Sequence, residues 1–232
     1  MSFLSRVFGA KAGAQPPASG DDIESQLREL EREARDAGPG YVGTAYNKAG
    51  DIALRAGSGD RAVTYYGQAI DSFLQDGQRE AARGVANKII RVRPRAVRTL
   101  CTLTWLDLAA RHLATALLHL REYAEAAKGA GQQAIAADQI CEMARTVPDS
   151  EFHVAAAGAL ESLGFSDRAA DLLRERAEEE DGEGRRASAA RRGEHELEQA
   201  CLQSAVRSNE REDPKVARER EQRRTQARFG NT

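Results

Sequence analysis

Three glycines, Gly38, Gly40 and Gly43, stand at the G-x-G-x-x-G spacing of a dinucleotide-binding loop. Such a loop seats a pyrophosphate on a helix N-terminus entered from a β-strand. Here the preceding residues repeat apolar side chains at helical spacing, Ile23, Leu27, Leu30 and Ala34, and no apolar β run exists to build a sheet. The glycines therefore read as a turn between helices. His112 and His119 lie two helical turns apart and share a face, yet no Cys or carboxylate at the usual spacing completes a zinc ligand set. They read as packing or groove residues. His195-Glu196 lacks the second His of a zinc-protease helix, and neither G-x-S-x-G nor G-x-x-x-x-G-K occurs. Cys101, Cys141 and Cys201 are scattered without a C-x-x-C, which suggests neither a disulfide framework nor a zinc site. The acids at 178–181 would point in different directions from a helix. They read as a helix end breaking into solvent. The expectation is a protein that is not an enzyme and carries no cofactor and no metal.

Positive charge gathers at residues 88–98, KIIRVRPRAVR, with Arg79 and Arg83 just before. Guanidinium groups bind phosphate or carboxylate in bidentate fashion. The same residues also fit the solvent face of two helices and their turn, with Ala82, Val85, Ala86, Ile89 and Ile90 opposite. Over the whole chain the formal net charge is −2, so no global field argues for nucleic acid or an acidic membrane. The most apolar stretch, 100–120, is interrupted by Asp107, Arg111, His112 and His119, each costly in lipid. It reads as buried helices of a soluble array. The first ten residues hold one Arg and too short an apolar stretch for a signal peptide. A cytoplasmic location with reduced thiols is expected.

The elements that must position these side chains are helices. Ala, Leu, Glu and Arg abound and aromatics make up 5%, a composition that favours helix over strand. Residues 1–20 read as an unstructured segment ending in AQPPASG, although Phe3, Leu4, Val7 and Phe8 would share one face if the segment coiled. Asp21 and Asp22 open an amphipathic helix that stops at Gly38-Pro39-Gly40. Helices are then predicted over 44–56, 60–75, 78–93, 95–110, 111–130, 132–146, 150–163 and 167–180. Gly57-Ser58-Gly59, Asp76-Gly77, Pro94, Gly129, Gly131, Pro148 and Gly164 punctuate them. First helices of successive pairs start about 34–38 residues apart, the period of helical-hairpin repeats. The domain reading is a segment 1–20, a repeat domain 21–180 and a charged tail 181–232. Within the tail, Leu197, Cys201 and Ala205 are spaced for a capping helix over 194–207, and the remainder is expected to be solvated.

The first pair carries a more specific pattern. Tyr46, Ala49, Gly50 and Ala53 fall in one helix, and Ala62, Tyr66 and Ala69 in the next. This resembles the tetratricopeptide repeat, with Gly43 as its first position. Gly84 lies one repeat after Gly50 and Ala96 one repeat after Ala62, and Asp60-Arg61-Ala62 recurs as Asp167-Arg168-Ala169. A second frame starts a repeat at Val63 and closes with Ala82, Ala86, Ile89 and Pro94. A looser similarity to the helical arrays of soluble fusion-machinery attachment proteins also fits. The resemblance implies an all-α fold, a right-handed α-solenoid of stacked antiparallel helical hairpins. It also implies a scaffold that grips an extended peptide or partner helix on its concave face. Its groove positions in the first repeat are Thr44, Asn47, Asp51 and Leu54. In the second pair the polar face offers Arg83, Asn87 and Arg91, which suit an acidic protein or peptide partner. Chaperone-tail receptors of that family clamp a terminal carboxylate with Lys and Asn; Asn47 agrees, but Asp51 stands where Asn is wanted. The alternatives are a nucleic-acid-associated regulator using the basic strip from Arg79 to Arg98, and a peripheral membrane assembly factor docking through Phe3 to Phe8.

Overall fold

The computed structural model describes residues 20–38, 40–183 and 200–204. The expectations for residues 1–19 and for most of the tail lie outside them. All secondary structure among the described residues is helical: α1 (Gly20–Asp36), α2 (Val42–Arg55), α3 (Gly59–Gln75), α4 (Arg79–Val92), α5 (Val97–Ala109), α6 (Leu113–Gly129), α7 (Gln133–Thr146), α8 (Ser150–Ser162) and α9 (Ser166–Glu183). A further helical stretch covers 200–204. No helix among the described residues is long and apolar enough to cross a membrane.

Five helices end in the same way. The N–H of Ser58, Gln78, His112, Gln132 and Phe165 donates to the carbonyl five residues back, on Ala53, Phe73, Asp107, Ala127 and Leu160, at 2.7–2.9 Å. This is the bond of a Schellman ending, which needs left-handed backbone at the preceding residue. Gly57, Gly77, Gly131 and Gly164 supply it at φ +71 to +92°, and Arg111 supplies it at φ +57°. Of the three remaining links, those after α4 and α7 carry Pro94 and Pro148. There Arg93 and Val147 leave the helical region after α4 and α7, and Asp149 caps α8 by accepting from the Phe152 N–H at 2.9 Å.

Each helix packs on the next along the chain, and α6 also packs on α8. The apolar side chains form two clusters. One is built on Leu27, Ala49, Ala53, Tyr66, Ile70 and Val85, the other on Tyr123, Ala127, Ile140, Met143, Phe152 and Leu160. Helix α5 belongs to both, giving Leu103 and Leu106 to the first and Leu100, Cys101, Trp105 and Leu108 to the second. Apart from Arg98 and Ala109 every residue of α5 is buried. Residues 200–204 also join both clusters, through Cys201 and Leu202.

Small residues set the spacing of α2 and α3. A Cβ added at Gly50 would lie 2.5 Å from Cδ1 of Tyr66, and one at Gly43 would lie 2.7 Å from Cδ1 of Phe73. The buried set Ala49, Gly50, Ala53 recurs in α4 as Val85, Ala86, Ile89, thirty-six residues on. Ala86 therefore takes the place of Gly50 in the second pair. Gly84, read from sequence as that equivalent, is exposed, and a Cβ there would meet nothing within 4 Å. The Gly38-x-Gly40 turn links α1 to α2, with the Gly40 N–H donating to Asp76 Oδ2 at 2.9 Å.

Candidate functional site

Side chains join α2 to α4 and α4 to α5 and the turn before α6, and α6 packs on α8. Between α2 and α4 the link is Lys88. Its Nζ donates to Asn47 Oδ1 at 2.9 Å and to Asp51 Oδ1 and Oδ2 at 2.6 and 2.8 Å. It also lies 5.3 Å from the Tyr66 ring centre, while the Tyr66 hydroxyl donates to Asp51 Oδ1 at 2.7 Å. Burial works to raise the Asp51 carboxyl, but the hydrogen bonds from Lys88 and Tyr66 and the Lys88 charge outweigh it and hold Asp51 below its ordinary range. Two of the four residues read as groove positions in α2 are thus committed to the fold. Thr44 and Leu54 remain exposed on the same helix.

Between α4 and the start of α6 the link is Arg83. Its Nε lies 3.3 Å from Oδ1 of Asp107, a carboxylate with no exposure to solvent, and its Nη1 lies 3.1 Å from His112 Nδ1. His119 Nδ1 holds the other oxygen of Asp107 at 2.7 Å. The shared face of His112 and His119 is therefore turned onto one buried carboxylate that sequence spacing does not bring near them. With Arg83 in the same cluster, a cation is already present. No group of three or more His, Cys, Asp or Glu among the described residues is placed to hold a metal ion.

The basic strip disperses in the same way. Arg93 pairs with Asp60 at 2.5 Å and Arg98 lies 3.8 Å from the buried Asp71. Asn87 is half-buried and Arg91 exposed, and no ion pair joins Arg91 to a described residue. Of the three α4 candidates, Arg83, Asn87 and Arg91, only Arg91 is an available cation. Of the expected clamp on an acidic ligand, Arg83 is thus engaged by Asp107 within the fold and Arg91 is not.

Between α6 and α8 the surface opens. A cleft of about 550 Å3 has Leu117, Leu120 and Ala124 on its α6 side and Val154, Ala155, Gly158, Ala159 and Ser162 on its α8 side. Val154 is 64% exposed. A Cβ at Gly158 would meet nothing within 4 Å, so the α8 wall recedes there. The rim carries Arg121, Glu125 and Glu151, and none of the three pairs with a described residue. Sequence reading does not single out this cleft. Its signal is the run Val154-Ala155-Ala156-Ala157-Gly158-Ala159, in which large side chains are missing from both faces of the helix.

No family model matches the chain, and no curated protein or solved structure matches it either.

Proposed function

We propose that the chain is a non-catalytic scaffold that binds another protein across the face shared by α2, α4, α6 and α8. In this reading the helices stack as a right-handed solenoid of antiparallel, tetratricopeptide-like hairpins. Neighbouring hairpins then bury what one cannot bury alone and leave a concave surface. The single observation that supports it best is the open, mainly apolar cleft between α6 and α8, with Val154 exposed on its wall. The order in which Lys88, Arg83 and the α6–α8 contact join the first helices of successive pairs is consistent with the stack. A nucleic-acid-bound regulator draws less support, since Arg83, Lys88, Arg93 and Arg98 each face a carboxylate of the same chain.

The test is quantitative capture of proteins from the native cell by the full chain and by two variants. Leu54→Arg with Val154→Arg alters the shared face. Ile135→Arg alters an equally exposed position on α7. The expected result is loss of specific partners with the first variant and retention with the second. Equal capture by both variants and the parent chain would remove the shared face as the binding surface.

A further inference from the structure

The α6–α8 cleft combines an apolar floor with charges that the fold does not use. Along α2 and α4, Lys88 pairs with Asp51 and Arg83 with Asp107 inside the fold. At the cleft, Arg121, Glu125 and Glu151 stand at the edge of an apolar floor with no ion pair to any described residue. The two walls are not alike. Helix α8, Ser150–Ser162, carries Glu151 and Glu161 and no Lys or Arg. The α6 wall carries one base, Arg121, and one acid, Glu125. The cleft is therefore apolar below, with two carboxylates, Glu125 and Glu151, against one guanidinium, Arg121, at its rim.

Resting on the scaffold reading above, we infer that the α6–α8 cleft docks an amphipathic segment of a partner protein. Its apolar side chains enter between Leu117, Val154 and Gly158, and Lys or Arg flank them toward Glu125 and Glu151. The receding wall at Ala155, Gly158 and Ala159 admits side chains, or a helix backbone, close to α8. Exposed carboxylates of this kind add modest affinity but strong discrimination against a like-charged ligand. The partner chemistry is thus the reverse of the acidic ligand that the arginines of α4 suggest from sequence.

The experiment is a display selection of random peptides of about twelve residues on the full chain, run in parallel on two folded variants. Gly158→Trp fills the cleft from a position with open space, so its helical circular dichroism and melting should match the parent. Glu125→Lys with Glu151→Lys reverses the rim without touching the floor. The expected result is a set of selected peptides with two or three apolar residues flanked by Lys or Arg. Synthetic copies should bind Gly158→Trp at least about tenfold more weakly, a difference of about 1.4 kcal/mol. The doubly reversed chain should select acidic flanks instead. Acidic or uncharged consensus peptides on the parent chain would overturn the inference, as would equal enrichment on Gly158→Trp or no enrichment at all. Two results assign the cleft to other occupants and overturn it as well. One is displacement of every selected peptide by a synthetic copy of residues 1–12. The other is a parent chain that sediments as a dimer while Gly158→Trp sediments as a monomer. Failure here with partner capture intact removes the cleft and keeps the scaffold, whereas loss of face-dependent capture removes both.

Discussion

A methyl group at position 50 would sit 2.5 Å from the Tyr66 ring, and that ring is itself held by its hydroxyl on Asp51. It has nowhere to swing. Gly50→Ala should therefore lower stability by about 1–3 kcal/mol through overpacking, although Ala157 in α8 shows that a small side chain is tolerated elsewhere in the array. Gly84→Ala should do the opposite and add about 0.5–1 kcal/mol, since an exposed mid-helix glycine only costs backbone entropy. Chemical denaturation of the two variants decides this, and a neutral Gly50→Ala would mean that α2 and α3 are further apart than described. Arg83 makes the second residue-scale case. Removing its charge leaves the buried Asp107 with His119 and the more distant His112. Arg83→Met should cost about 1.5–3 kcal/mol, the scale of a lost charge-assisted contact to a carboxylate that keeps His119. A urea midpoint shift too small for 1 kcal/mol would show that Arg83 is a surface cation after all. Neither Arg83 nor Lys88 betrays its role in sequence. Their carboxylates lie 24 and 37 positions away, and only tertiary packing brings them together.

At the scale of the element, the helices themselves were readable. Predicted 60–75, 132–146 and 150–163 became Gly59–Gln75, Gln133–Thr146 and Ser150–Ser162. The cause is local, because glycine at the left-handed position and proline after the end stop a helix whatever surrounds it. The one turn without such a signal, Ala110-Arg111-His112, still falls at the predicted boundary between 95–110 and 111–130, and there Arg111 takes the left-handed conformation that glycine takes elsewhere. What pattern cannot supply is which face meets which, so the α6–α8 cleft and the exposure of Gly84 were invisible. Residues 200–204 fall inside the expected capping helix, and their burial yields a pH prediction. Cys201 has no exposed surface, and burial pushes its thiol from an ordinary 9.0 up to about 12. The folded state thus keeps the proton that the unfolded chain releases. Its contribution is complete below pH 9 and falls away as pH rises from about 9 toward 12. Cys201→Ala should therefore differ from the parent chain by a constant amount below pH 9, and the gap should narrow above it. A gap that stays constant to pH 11 in denaturant titrations would mean that the segment does not bury its thiol.

At the scale of the whole molecule, the two apolar clusters raise the question of whether the halves unfold together. A simple repeat array behaves as a line of nearest neighbours, and its ends open without disturbing its middle. Here α1 buries only Leu27 and Ala34, so the first helix should exchange its amide hydrogens early. Helix α5 works against independence, because Leu103 and Leu106 belong to the first cluster while Trp105 and Leu108 belong to the second. Trp105 has no exposed surface, and its indole N–H reaches Gln139 Oε1 of α7 at 3.4 Å. Trp105→Ala should cost about 3–5 kcal/mol through the cavity it leaves. If α5 couples the halves, native-state hydrogen exchange in this variant should speed up by a similar factor in α3 and α4 as in α6 and α7, with α5 still the slowest element. Loss of protection confined to α6 and α7 would instead show two units that share a helix without sharing stability. In that case a partner docked at the α6–α8 cleft would stabilise only the second of them, by mass action on that unit alone.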